Sequence, residues 1–201
     1  MELVDRLLKG DKRAAAKLIS LVENEDEKAS EVLRELYKHT GKTHIIGVTG
    51  PSGVGKSSLV DKLVKSFRKK GKKVGVVAID PTSRFTGGAI LGDRIRMSEL
   101  ALDEGVFMRS MGTRGHGGGI AKATTEAAMV LDAMGMDVVF VETVGAGQSQ
   151  SEIWECVHTS ILVEMPGMGD EIQALKAGIL EIADIFIVNK GDIEGTDQLV
   201  K

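Results

Sequence analysis

The chain has 201 residues, 42% of them hydrophobic, which suffices for one domain with a buried core and excludes a disordered polypeptide. Its 26 basic and 29 acidic residues are mixed along the length for a net charge of −3, so no basic field exists to grip a polyanion, and nucleic acid is excluded as a general partner. Aromatic residues make up 3%, too few for a base-stacking platform.

The single cysteine, Cys156, cannot close an internal disulfide, which suits a reducing compartment, and it is read as a small buried hydrophobe. The four histidines and this cysteine show no metal-ligand spacing. The first residues, "MELVDRLLKGDKR", carry acids and no signal-like apolar region, and no run of apolar residues reaches membrane length. A soluble, cytoplasmic protein with no membrane partner is the expectation.

Residues 2 to 39 place Leu3, Leu7, Leu8, Ala14, Leu18, Leu21, Val22, Val32, Leu33 and Leu36 at helical spacing, with breaks at Gly10-Asp11 and across Glu23 to Glu27. The pattern predicts two or three short amphipathic helices, a segment 1–40 packed on a main domain over 41–201. From residue 43 short apolar runs alternate with helix-length stretches. The strand candidates are 43–48, 73–79, 106–110, 137–142, 160–165 and 184–188; helices are expected to begin near Lys56, Asp93, Gly119, Ser149 and Asp170. Near-continuous Val/Ile runs imply strands covered on both faces, so the fold class is α/β, a mostly parallel central sheet with helices on both sides. Ligands of such sheets bind at the carboxyl ends of the strands.

After the first strand comes "GPSGVGKSS", Gly50 to Ser58, an unbroken GxxxxGK[ST] string between a strand and a helix. The backbone of Gly50, Ser52, Gly53, Val54, Gly55 and Ser58 can turn N–H groups toward phosphate oxygens. Lys56 supplies a cation for the terminal phosphates and Ser57 a hydroxyl for Mg²⁺, all at a helix N-terminus that favours anions. The second strand ends in Asp80, which opens a long loop with a second acid, Asp93; either can act near the metal or simply start a turn and cap a helix. The fourth strand ends in Glu142, an acid able to reach Mg²⁺ or its water, with Gly145 three residues on to meet the γ-phosphate. Gln148 is a candidate for positioning the attacking water. Of two further glycine-rich loops, the one after the third strand carries Arg114 and His116, which either contact phosphate or a partner or are simply solvated, and the one after the fifth, with Asp170 and Lys176, has glycines that would allow the two arrangements a switch needs.

The sixth strand runs into Asn189, Lys190, Gly191 and Asp192. Guanine presents N1–H and a 2-amino group side by side, and one carboxylate can accept both, whereas adenine would leave Asp192 unpaired. Asn189 can bond the opposite base edge or brace the phosphate loop, and the Lys190 stem can cover the ring face. The expected ligands are GTP and GDP with Mg²⁺.

The blocks "GVTGPSGVGKSSLVDKL", "VVAIDPTSRFTGGAILGDRIRM", "FVETVGAGQSQSEI" and "PGMGDEIQALKAGILEIADIFIVNKGD" resemble the methylmalonyl-CoA mutase-associated GTPases, the MeaB, ArgK and MMAA group, within a wider class of P-loop GTPase metallochaperones of SIMIBI type. The resemblance implies GTP hydrolysis and a chaperone role toward a cobalamin-dependent acyl-CoA mutase: gating adenosylcobalamin loading, rejecting damaged cofactor and protecting the mutase. It implies phosphate and metal roles for Lys56 and Ser57, metal roles for Asp80, Asp93 and Glu142, base roles for Asn189, Lys190 and Asp192, and a further switch over 166–176. Family members continue beyond this length with another strand, a loop backing the guanine and a helical dimerisation arm, so this chain is expected to have an exposed sheet edge and no such arm. His158 and Glu164 stand where relatives commonly carry an acid and an apolar residue. The alternatives weighed are a metal-insertion GTPase of the nickel-chaperone type and a non-hydrolysing, nucleotide-bound scaffold.

Overall fold

A computed structural model of the chain describes residues 2–80, 100, 102–112, 117–143, 156–167 and 183–200. Three helices come first: α1 (Glu2–Leu8), α2 (Lys12–Glu23) and α3 (Ala29–Tyr37). The breaks fall at Gly10-Asp11 and within the acidic stretch, as the pattern predicts. Asp11 accepts the N–H groups of Arg13 and Ala14, which satisfies two of the unpaired donors at the start of α2.

Six strands follow, β1 (His44–Thr49), β2 (Val74–Asp80), β3 (Val106–Gly112), β4 (Val138–Glu142), β5 (Thr159–Glu164) and β6 (Ile185–Val188), each within two residues of its expected bounds. They form one sheet in the order β3-β2-β4-β1-β5-β6, and every neighbouring pair is parallel. Helix α4 (Lys56–Lys69) follows β1, α5 (Gly117–Ala133) precedes β4, and α6 (Thr196–Val200) follows β6.

Strand β4 shows how alternation builds the layers. Val138 and Phe140 point into a core shared with Val60 and Val64 of α4, while Val139 and Val141 point into a second core with Leu131 of α5 and Leu7, Leu18 and Ile19 of the first helices. Period-two side chains buried on both faces are what the Val/Ile run demanded. Strand β6 departs from that expectation: Ile185 and Phe186 are 45% and 50% exposed. It lies at the edge of the sheet, where only β5 pairs with it among the described residues.

Helix α5 passes close over β2 because Gly75 has no side chain. A Cβ there would sit 2.8 Å from Leu131 Cδ1 and 3.0 Å from Val139 Cγ2, both inside a close-packed core. Gly75→Ala is therefore expected to destabilise the chain by about 1–3 kcal/mol through overpacking, read as a lower melting temperature or urea midpoint.

At the amino ends of the strands, the side chain of His158 extends the β1–β5 ladder by one bond. Ile45 N–H donates to His158 Nδ1 at 2.9 Å, and His158 N–H donates to the Ile45 carbonyl at 2.8 Å, just before the pairing of Ile46 with Thr159 begins. This gives His158 a structural role that its sequence position did not suggest.

The same end of the sheet is tied by acids. Arg68 forms two hydrogen bonds to the Asp103 carboxylate, and with the Gly105 N–H it holds that carboxyl below the ordinary aspartate value of 3.8. The Lys73 N–H does the same for Asp137, and the Ser160 hydroxyl and N–H for Asp184. Each group titrates lower when folded, so its contribution is complete above the unfolded value and is lost as the pH falls through the folded one. Melting temperature is expected to drop on acidification below about pH 4, and Asp103→Asn should flatten that drop while lowering stability at neutral pH.

Candidate nucleotide site

The strand ends bring together what the motifs contribute. Helix α4 starts at Lys56 behind Gly55, whose φ of +98° is left-handed, and no side chain caps its first turn. A Cβ on Gly55 would run into the Asn189 side-chain amide, so glycine is required both for the turn and for the close approach of the last strand's loop. Lys56 is buried, at 7% exposure, and its Nζ donates to the Gly50 and Pro51 carbonyls at 2.9 Å each. The loop is thus curled around its own ammonium group at a helix N-terminus, an arrangement suited to polyanionic oxygens.

Glu142 ends β4 on the same face as Phe140, the face toward α4. Period-two geometry therefore sets its carboxylate over the start of that helix, and Ser57 Oγ donates to Glu142 Oε1 at 2.5 Å. Glu142 is 6% exposed. A hydroxyl and a carboxylate oxygen meeting at one point form a hard, oxygen-only donor set, which fits Mg²⁺. Two threonines lie behind them: Thr143 N–H donates to the Val48 carbonyl at 3.0 Å and Thr143 Oγ1 to Thr49 Oγ1 at 2.8 Å. Their only signal in the sequence is a polar residue directly flanking each strand-end motif.

The loop after β6 is docked onto the phosphate loop. Asn189 Nδ2 donates to the Val54 carbonyl at 2.7 Å and Lys190 Nζ to the Gly53 carbonyl at 3.1 Å. Asn189 N–H also donates to the Glu164 carbonyl at 2.7 Å, continuing the β5–β6 ladder. Of the two roles open to Asn189, the side chain takes the brace. Lys190 holds φ at +55°, uncommon outside glycine, and Asp192 is exposed two residues on.

Asp80 closes β2 opposite Gly112 of β3. Asp93, Gly145, Gln148, Arg114, His116, Asp170 and Lys176 lie outside the described residues, as do the helices expected from Asp93, Ser149 and Asp170. Ser52, Gly53 and Ser58 sit in the loop and first turn of α4 as expected.

The model of the family described as methylmalonyl Co-A mutase-associated GTPase MeaB matches residues 15–200. The chain belongs to the MeaB family. A Pyrococcus abyssi protein named as a GTPase is 60% identical over 196 residues, covering 98% of this chain and 60% of that protein. The GTPase ArgK of Escherichia coli is 38% identical over 195 residues, covering 95% and 59%. A crystal structure of a LAO/AO transport system kinase superposes with a TM-score of 0.76 at 28% identity, covering 99% of this chain and 59% of that one. The chain thus spans about 60% of the length of these MeaB-family relatives. Its parallel sheet with flanking helices is that of P-loop GTPases. Among the described residues no helix is long and apolar enough to cross a membrane.

Proposed function

We propose that the chain binds GTP with Mg²⁺, hydrolyses it to GDP, and serves as a chaperone of a cobalamin-dependent acyl-CoA mutase, gating adenosylcobalamin loading and protecting the mutase. The observation that supports the nucleotide part is the bond from Asn189 to Val54, which holds the loop after β6, read here as the guanine reader, against the glycine-rich loop after β1. The mutase part is supported by the family's description as methylmalonyl-CoA mutase-associated.

Phosphoryl transfer needs positioning and charge stabilisation more than covalent chemistry. The N–H groups of the loop and of the first turn of α4 cradle the phosphates, and Lys56 turns from the Gly50 and Pro51 carbonyls to the terminal phosphate oxygens. Ser57 and Glu142, with Asp80 and Asp93, hold the metal ion, which when bound neutralises phosphate charge. Gly145 and Gln148, which follow β4 in the sequence, meet the γ-phosphate and orient water. Asp192 accepts the paired donors of guanine, and the Lys190 stem lies along the base. The segment 166–176 signals to the mutase.

The experiment is single-turnover GTP hydrolysis with and without a methylmalonyl-CoA-type mutase, paired with co-purification in GTP, GDP and nucleotide-free states. Nucleotide-dependent co-purification and faster turnover in the complex are expected. Binding without turnover would reduce the chain to a nucleotide-bound scaffold, and a mutase that never co-purifies would remove the partner.

A further inference from the structure

Thr49 and Thr143 are 2% and 6% exposed, and they touch across the β1–β4 pair at the point where both strands give way to the site. Thr49 is the last residue before the phosphate loop, and Thr143 the first after Glu142. Valine has the same shape and would fill either place without a hydroxyl to satisfy, so burying two hydroxyls against each other adds little to stability. What the pair adds is direction. A 2.8 Å bond between side chains, together with the 3.0 Å bond from Thr143 N–H to the Val48 carbonyl, fixes where β4 leaves the sheet relative to the start of the loop. The Glu142 carboxylate, one residue before, must reach Ser57, in the first turn of the helix that the same loop leads into.

We propose that Thr143, through Thr49, is a positioning residue for the Ser57–Glu142 oxygen pair, and so sets how tightly Mg²⁺ is held with nucleotide. The proposal rests on the nucleotide reading above. It assigns Thr143 no contact with nucleotide or metal, and predicts that its hydroxyl acts on the metal step while leaving nucleotide binding without metal intact.

The test uses the full chain with Thr143→Val, Thr143→Ser, Thr49→Val and the Thr49→Val/Thr143→Val double variant. Affinity for a fluorescent GDP is measured in chelator and across a Mg²⁺ titration, beside thermal melting and amide exchange at Thr143. Thr143→Val is expected to leave GDP affinity in chelator unchanged and to raise the Mg²⁺ concentration for half-maximal effect roughly tenfold, the usual scale for a lost outer-shell partner. Thr143→Ser should restore the original value. Thr49→Val should match Thr143→Val, and the double variant should be no worse than either, because one bond is being removed. An unshifted Mg²⁺ dependence in Thr143→Val would overturn the proposal while leaving the nucleotide reading standing. A shift that tracks melting temperature and is not rescued by serine would reduce the pair to packing. If the unsubstituted chain binds GDP with no Mg²⁺ effect at all, the metal part of the functional reading falls and the proposal with it.

Discussion

Lys56→Ala is expected to lower affinity for GTP by at least roughly 150-fold, equivalent to about 3 kcal/mol, and to remove measurable hydrolysis. Lys56 is buried and its ammonium donates to two main-chain carbonyls of the loop, so the charge is positioned for a polyanion and is more effective there than in water. Truncation also removes the donor that the Gly50 and Pro51 carbonyls share, which loosens the loop. Binding followed by calorimetry or a fluorescent analogue checks the first effect, and a thermal melt checks that the fold persists. Lys56→Arg should not rescue, because a planar, wider cation cannot sit inside the same curl. Undiminished turnover in Lys56→Ala would place the phosphate site elsewhere.

Asp192→Asn is expected to reverse base preference. A carboxylate can accept two donors on guanine, whereas an amide offers one acceptor and one donor. The variant therefore loses GTP and gains xanthosine triphosphate, whose 2-oxo group needs a donor. A change of roughly 10³-fold in the ratio of the two affinities is the scale for a recognition group left mispaired. Asp192 is exposed, so the melting temperature should stay put. Competition binding with both nucleotides reads the ratio directly, and an unchanged ratio would remove Asp192 from base reading.

The sheet was legible in the sequence because its inner strands are buried on both faces, which turns burial into uninterrupted Val/Ile runs such as Val138 to Val141. Strand ends were less legible. β3 runs on to Gly112 because Asp80 and Gly112 still pair across the sheet, a fact no local pattern carries. Along β6 the apolar run predicted cover on both faces, but its edge position leaves Ile185 and Phe186 half exposed. The glycine-rich loop between β1 and α4 was legible because its pattern is confined to a few adjacent residues. Which partner Asn189 would choose was not: both were chemically sound, and only the fold brings Val54 within 2.7 Å. The contacts between Thr49 and Thr143 and between Ile45 and His158 join residues 94 and 113 positions apart, beyond the reach of any motif.

The bonds from Asn189 and Lys190 to the phosphate loop mean that the two halves of a nucleotide would not be sensed independently. Guanosine and pyrophosphate, offered as separate fragments, would meet loops that share one set of hydrogen bonds, so ordering either would restrain the other. Linkage then requires each fragment to raise the affinity of its counterpart by the same factor. Such a chain would register the whole nucleotide as one cooperative event, with half-recognised states sparsely populated.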